Sequence, residues 1–339
     1  MSLQIRPIPF MACLFTLSLI SSGRAQEFQA KRETDRVDLF QNGKLITSYR
    51  FRSGTKPILW PLIGPGGTRM SREYPMSTEG KKEEHDHPHH RSLWMTFGEV
   101  NELDFWAEGK GKGEVVLSEL SGVEQSADSA SVLAKHVWQT TATVENATPK
   151  AVLQELCRYT VSGTEEERII DCEYILKHAD ANAKDAIHFG DTKEGMFAIR
   201  VPEAMRADKA GGQILNSQGQ KNDDAWGRTA TWVDYTGRAT FDNEDVFGIT
   251  IMIHPKSFGL TGYWHVRTYG LFAHNPIGVK HFFEKRPTET PNKPTGGYLL
   301  APGQSMHMSY RVLLHRNRWT PSEVQDRYSA FERVPMRLN

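Results

Sequence analysis

Between Val37 and Leu314 the chain keeps returning to short runs in which apolar and polar residues alternate, each run broken by Gly, Pro or Asn. Alternation at period two puts every second side chain on one face of a strand, so such runs build half-buried sheets. Val37 and Leu39 precede Asn42-Gly43, and Leu45, Thr47, Tyr49 and Phe51 follow it. That dipeptide favours a two-residue hairpin, because both turn positions need positive φ. Further strand-like runs are Val115–Leu120, Val132–Val144, Val152–Val161, Arg168–Leu176, Ala230–Tyr235, Val246–Ile253, Gly297–Leu300 and Met306–Leu314, with another turn expected at Thr236-Gly237. Strands in succession, without intervening helices, predict an all-β fold: a large antiparallel β-sandwich over residues 26–318.

One helix interrupts this pattern. Thr320-Pro321-Ser322-Glu323 offers a cap residue, a proline at the first helical position and a glutamate three residues on. Val324, Tyr328 and Phe331 then fall on one face at helical spacing. Residues 319–339 therefore read as a C-terminal helix and tail braced against the sandwich. Pro287 to Gly297 and Gln213 to Ala225 read as long polar loops, where binding groups tend to be mounted.

The first 25 residues read as an address. Arg6, an apolar stretch from Phe10 to Ile20, and small residues up to Ala25 form the three parts of a secretory signal peptide, with cleavage near Ala25-Gln26. The apolar stretch is shorter than the roughly 20 residues that span a bilayer, and no later segment combines that length with that apolarity. Export to the periplasm or the outside is the expectation. Removing the leader takes two of 41 basic residues and none of 41 acidic ones, leaving two net negative charges. A nucleic-acid binder would need the opposite sign, so a small-molecule or oligosaccharide partner is expected instead.

The mature chain keeps Cys157 and Cys172, too few for a disulfide framework. A hairpin centred near Thr164-Glu165 would set them opposite each other. A cross-strand bridge and two half-buried thiols are both compatible with that placement.

Chemistry concentrates in three places. Four of the 13 histidines, His85, His87, His89 and His90, fall within six residues, around Asp86 and Pro88. Pro88 excludes a helix interior and biases His87 toward extended geometry. An extended segment would put His85, His87 and His89 on one face, able to reach one divalent transition metal at about 2.0–2.1 Å. Asp86 or Glu84 could then hold a ring N–H. Histidine also serves as an acid or base without metal, so both uses stay open.

The second place is His188 to Gly195, where Asp191, Lys193 and Glu194 form a compact charged loop. A carboxylate there could act as base with Lys193 orienting it. In the third, Trp264-His265-Val266-Arg267-Thr268-Tyr269 followed by Asn275, an extended run would put His265, Arg267 and Tyr269 on one face and Trp264 on the other. Aromatic surfaces beside Arg, His and Asn suit a sugar ring. Trp226 and Trp232 could join the same cleft. A glycine-rich phosphate loop, a G-x-S-x-G elbow and paired C-x-x-C motifs are all missing from the sequence.

Asp86-His87-Pro88-His89-His90-Arg91 with Trp94, Asp191-Thr192-Lys193-Glu194-Gly195-Met196-Phe197, and Tyr269-Gly270-Leu271-Phe272 with Asn275-Pro276 together resemble a bacterial family labelled "methane oxygenase PmoA-like". The monooxygenase subunit behind that label is an integral membrane protein, whereas no spanning helix follows this leader. What the resemblance implies is a sandwich similar to the galactose mutarotase-like supersandwich. On that fold a histidine acid and a carboxylate base act on carbohydrates.

The resulting expectation is an exported carbohydrate-active enzyme, an epimerase, lyase or hydrolase. His87, His89, His90 and His265 would pair with Glu194, and Arg91, Trp94, Asp191, Lys193, Trp264, Arg267, Tyr269 and Asn275 would contact substrate. His85, His87 and His89 are the metal candidates. A non-catalytic glycan- or metal-binding module and a metal-dependent oxygenase are the competing expectations.

Overall fold

A computed structural model describes residues 27–80, 82–142, 148–284 and 295–338. The expected leader, residues 1–25, and most of the expected Pro287–Gly297 loop lie outside the described residues.

Two eight-stranded antiparallel sheets carry the fold. Edge to edge, the first runs Phe28–Arg32, Arg36–Gln41, Lys44–Ser53, Lys56–Leu59, Leu93–Phe97, Gly195–Arg200, Leu271–Asn275 and Tyr263–Val266. The second runs Gln213–Asn216, Trp232–Arg238, Val246–Ile253, Ser305–Arg316, Glu167–His178, Ala151–Gly163, Ala130–Thr140 and Gly113–Gln125. A small extra sheet pairs Ile187–Phe189 with Tyr298–Leu300. The Asn42-Gly43 hairpin forms as its turn chemistry demands, with both residues at positive φ.

Alternation sorts the side chains. Leu93, Met95, Phe97, Phe197 and Ile199 point inward to a core shared with Tyr174, Tyr310, Val312 and Leu314 of the second sheet. Phe197 and Tyr310 stack across the two layers at 4.3 Å. The C-terminal helix Pro321–Phe331 starts with the expected capping box at Thr320 and Glu323. Its Val324, Tyr328 and Phe331 cover Trp232, Met252 and Leu313 on the outer face of the second sheet.

Three local expectations fail. Gln213 to Ala225 is not all loop, because Gln213–Asn216 pairs with the strand Trp232–Arg238 as the edge of the second sheet. Thr236-Gly237 is not a turn but lies inside the strand Trp232–Arg238, where neighbouring strands pair with both residues. Pairing with a neighbour outweighs the local preference of the dipeptide. The hairpin register also differs from the symmetric one: Cys157 faces Tyr174 and Cys172 faces Tyr159. The cysteines sit diagonally, two residues out of step, and both are free, buried thiols.

Candidate functional site

The site grows from the outer face of the first sheet. Trp94 pairs with Ala198, Ala198 with Ala273, and Ala273 with His265, one row across four strands. Ala198 and Ala273 are buried with Trp94 and Trp106 in one apolar cluster on this face. His265, at the end of the row, reaches a cavity of about 620 Å³ that loops close. A larger hollow, about 780 Å³, lies over the second sheet near Lys135, Gln154 and Lys177, and holds none of the sequence-predicted site residues.

His87, His89 and His90 form one wall of the cavity, but not from an extended chain. His87 has φ of 44°, and the His90 amide donates to the His87 carbonyl, closing a turn over Pro88 and His89. The turn folds the rings onto one another: His87 stacks on His90 at 4.8 Å and on Tyr269 at 5.4 Å, and His89 meets His90 edge-on at 4.4 Å. His85 leaves the group and stacks on Tyr74. The shared face of His85, His87 and His89 is therefore not realised, because the turn replaces the strand on which it depended.

Asp86 anchors the turn. His87 donates from Nδ1 to Asp86 Oδ2 at 2.6 Å. The same carboxylate accepts from Arg72 at 2.7 Å and from Arg200 at 2.7 and 3.0 Å. Burial works against ionising Asp86, yet Arg200, the His87 hydrogen bond and Arg72 prevail and bring its pKa down to about 2. Glu84 takes no part in this and pairs with Arg206 and Lys209.

Three other cavity histidines, His89, His90 and His265, are held neutral. Burial, with Lys56 and His87 adding repulsion, pushes His89 down to about 4. Burial pushes His90 and His265 well below their ordinary value. Trp226 Nε1 donates to His265 Nδ1 at 2.9 Å. An indole N–H can only donate, so neutral His265 carries its proton on Nε2.

Glu194 and Lys193 enter the cavity together, 2.6 Å apart. Their loop is tightly placed: the Gly98 amide donates to the Glu194 carbonyl at 2.7 Å, and a Cβ on Gly98 would come within 2.8 Å of the Glu194 Cβ. Arg267 and Tyr269 also line the cavity, from the turn after the strand Tyr263–Val266.

Several predicted contacts lie elsewhere. Asp191 accepts from the amides of Val279 and Lys280. Asn275 is fully buried and ties the Thr192 carbonyl to the amides of Ile277 and Gly278. Both brace the Glu194 loop rather than face the cavity. Trp264 is buried in the core, its indole donating to Ala230, while His265 beside it points out. Trp94 lies beneath His90 at 5.5 Å, only 1% exposed. Arg91 is occupied by a two-pronged bond to Glu108 and a contact with Ser53.

The structure adds lining residues for which spacing gave no reason: Asp104, Trp106, His281 and Glu284. Arg200 carried a usable signal, a cation inside the apolar run Met196–Val201. Among the described residues, the one group of three potential metal ligands within 4.8 Å of each other is His136, Glu155 and Cys157. That group is buried and already bonded, with His136 held by Glu155 at 2.8 Å and Tyr49 at 2.5 Å.

A family model matches residues 36–329, which include the whole cavity. The chain belongs to that family, described as a family of unknown function (DUF6807). Among solved structures, it is similar to a galactose mutarotase related enzyme from Lactobacillus acidophilus, with 9% identity and a TM-score of 0.32 over 85% of this chain and 97% of that one. It is also similar to a glycoside hydrolase family 97 enzyme from Pseudoalteromonas sp. strain K8, in complex with acarbose. There the identity is 10% and the TM-score 0.31, over 86% of this chain and 34% of that one. No curated protein matches. No helix among the described residues is long and apolar enough to cross a membrane.

Proposed function

We propose that this family member is an enzyme that moves a proton at a carbon or the anomeric centre of a sugar, by epimerisation, elimination or hydrolysis. The observation that carries the reading is one cavity holding both a histidine oriented by an ionised aspartate and a separate carboxylate, Glu194. With Asp86 on Nδ1, Nε2 of His87 is the nitrogen that exchanges a proton. Glu194 is the partner base, and Lys193 holds it in place. Trp106 and Trp226, with the edge of Tyr269, line the cavity with apolar surface suited to the C–H groups of a ring, and neutral His89, His90 and His265 suit its hydroxyls.

The test is incubation of the purified protein with free sugars and glycosides, oxidised and unoxidised, with and without added divalent metals, followed by NMR. New anomers, C–H exchange or cleavage supports the reading, and an unchanged panel rejects it. The leader-like residues 1–25 make export part of the proposal, tested by finding Gln26 at the N-terminus of exported protein.

A second reading rests on the packing of His87, His89 and His90, whose ring centroids lie 4.4–5.9 Å apart. Modest rotation of these rings could gather them on one transition metal. Metal analysis of untagged protein tests this, and a stoichiometric metal lost in a His89→Ala variant supports it.

A further inference from the structure

The charges lining the cavity do not cancel in the way their number suggests. Three carboxylates face it, and each has its own lysine: Asp104 with Lys112 at 2.9 Å, Glu194 with Lys193 at 2.6 Å, and Glu284 with Lys280 at 3.9 Å. Arg200, beneath Tyr269, is matched by Asp86. Arg267 is different. Among the described residues no carboxylate lies within 4.0 Å of its guanidinium, which instead sits over the rings of Trp226 and Tyr269 at 5.4 and 5.6 Å.

Among the described residues, the neighbouring side chains add no counter-charge within 4.0 Å of it. His265, beside Arg267, is kept neutral by burial and by the repulsion of Arg267 itself. Ring faces attract a cation weakly and leave its N–H donors unsatisfied. A half-buried guanidinium without a carboxylate, facing a cavity, is a group waiting for an anion, and its fork suits a carboxylate or an oxyacid ester in two-pronged contact.

We infer that the cavity takes an acidic sugar, whose carboxylate or ester oxyanion is received by Arg267. This rests on the sugar reading above and narrows it to a substrate class. In the complex, a ring held in the cavity that Trp226, Tyr269 and Trp106 line carries its anionic substituent to the Arg267 end. Its reacting carbon is left toward His87 and Glu194.

The test is binding, by calorimetry or saturation-transfer NMR, of methyl glucuronide and methyl galacturonide against methyl glucoside and methyl galactoside, with glucose 6-sulfate as a third arm. The wild-type protein is expected to favour at least one anionic ligand over its neutral counterpart by roughly tenfold or more, a preference one charge-assisted pair can supply. The uronides against the sulfate show which anion is meant. Arg267→Gln is expected to bring the ratio close to one, and Arg267→Lys to keep part of it, with thermal unfolding confirming that both variants fold. Neutral glycosides binding as tightly as every anion, or Arg267→Gln keeping the preference, overturns the inference and leaves the sugar reading standing. If nothing in the panel binds, both fall.

Discussion

Asp86 accepts a 2.6 Å hydrogen bond from His87 Nδ1 while two buried arginines grip the same carboxylate. One carboxylate thus orients a cavity histidine and also pairs with buried Arg200 and with Arg72, which Glu203 holds as well at 2.6 Å. Asp86→Asn is expected to lower turnover by roughly 10²–10⁴, since an amide can donate to Nδ1 and fix the wrong tautomer. It is also expected to cost about 3 kcal/mol of stability by leaving buried Arg200 without its anion. His87→Gln, at a ring 43% exposed, should match the first effect and not the second. Rate measurements beside urea unfolding separate the two, and normal turnover in Asp86→Asn contradicts the assignment.

The cavity offers a test by filling. Ala107 lines it, so Ala107→Leu places a larger side chain where a ring would sit. Sugar affinity is expected to fall tenfold or more, with little change in stability because Ala107 is only half-buried. Calorimetry on the variant checks this; unchanged affinity would place the ligand elsewhere.

Acid should destabilise the protein through its buried histidines. Burial pushes His274 down to about 3, and burial with Lys56 and His87 pushes His89 down to about 4. The unfolded chain takes up these protons near pH 6.5 and the folded one does not. Stability is therefore intact above that pH and lost as the pH falls toward the folded values, by about 1.4 kcal/mol per pH unit for each histidine. Asp86 adds its own loss only below about pH 4. Urea midpoints between pH 7 and 4.5 should show the decline, and His274→Gln should flatten it by about one proton. An identical slope in the variant would mean that His274 is charged in the fold.

Cys157 and Cys172 should behave as two unreactive thiols. Burial raises both thiol pKa values well above the ordinary one, and the hairpin register sets them diagonally. Alkylation under non-reducing conditions is expected to label neither in the native protein and both after unfolding. A pair that stays unlabelled until reduced would show a bridge.

Local rules accounted for much of the fold. Asn42-Gly43, the alternating runs and the Thr320 capping box each depend on nearby residues, and each formed as expected. Thr236-Gly237 and the cysteine register depended on partners distant in sequence, which local pattern does not report. The site divides in the same way. His87, His89, His90, Glu194, Lys193, His265, Arg267 and Tyr269 stood out by chemistry and meet at one cavity. The turn at Pro88 escapes local pattern because Asp86 is anchored by Arg200, 114 residues away. Asp191 and Asn275 carried the right chemistry for contact but are spent on backbone amides, which single-sequence reading cannot see.

The most direct test of the central claim is an NMR time course in D2O. Wild-type protein, His87→Gln and Glu194→Gln would each be incubated with one panel of neutral and acidic sugars and glycosides. Anomer interconversion, deuterium entry at a ring carbon or bond cleavage with wild type, lost in both variants while they remain folded, is the predicted result. Wild-type turnover by either variant, or no change in any sugar with the wild-type protein, would contradict the account.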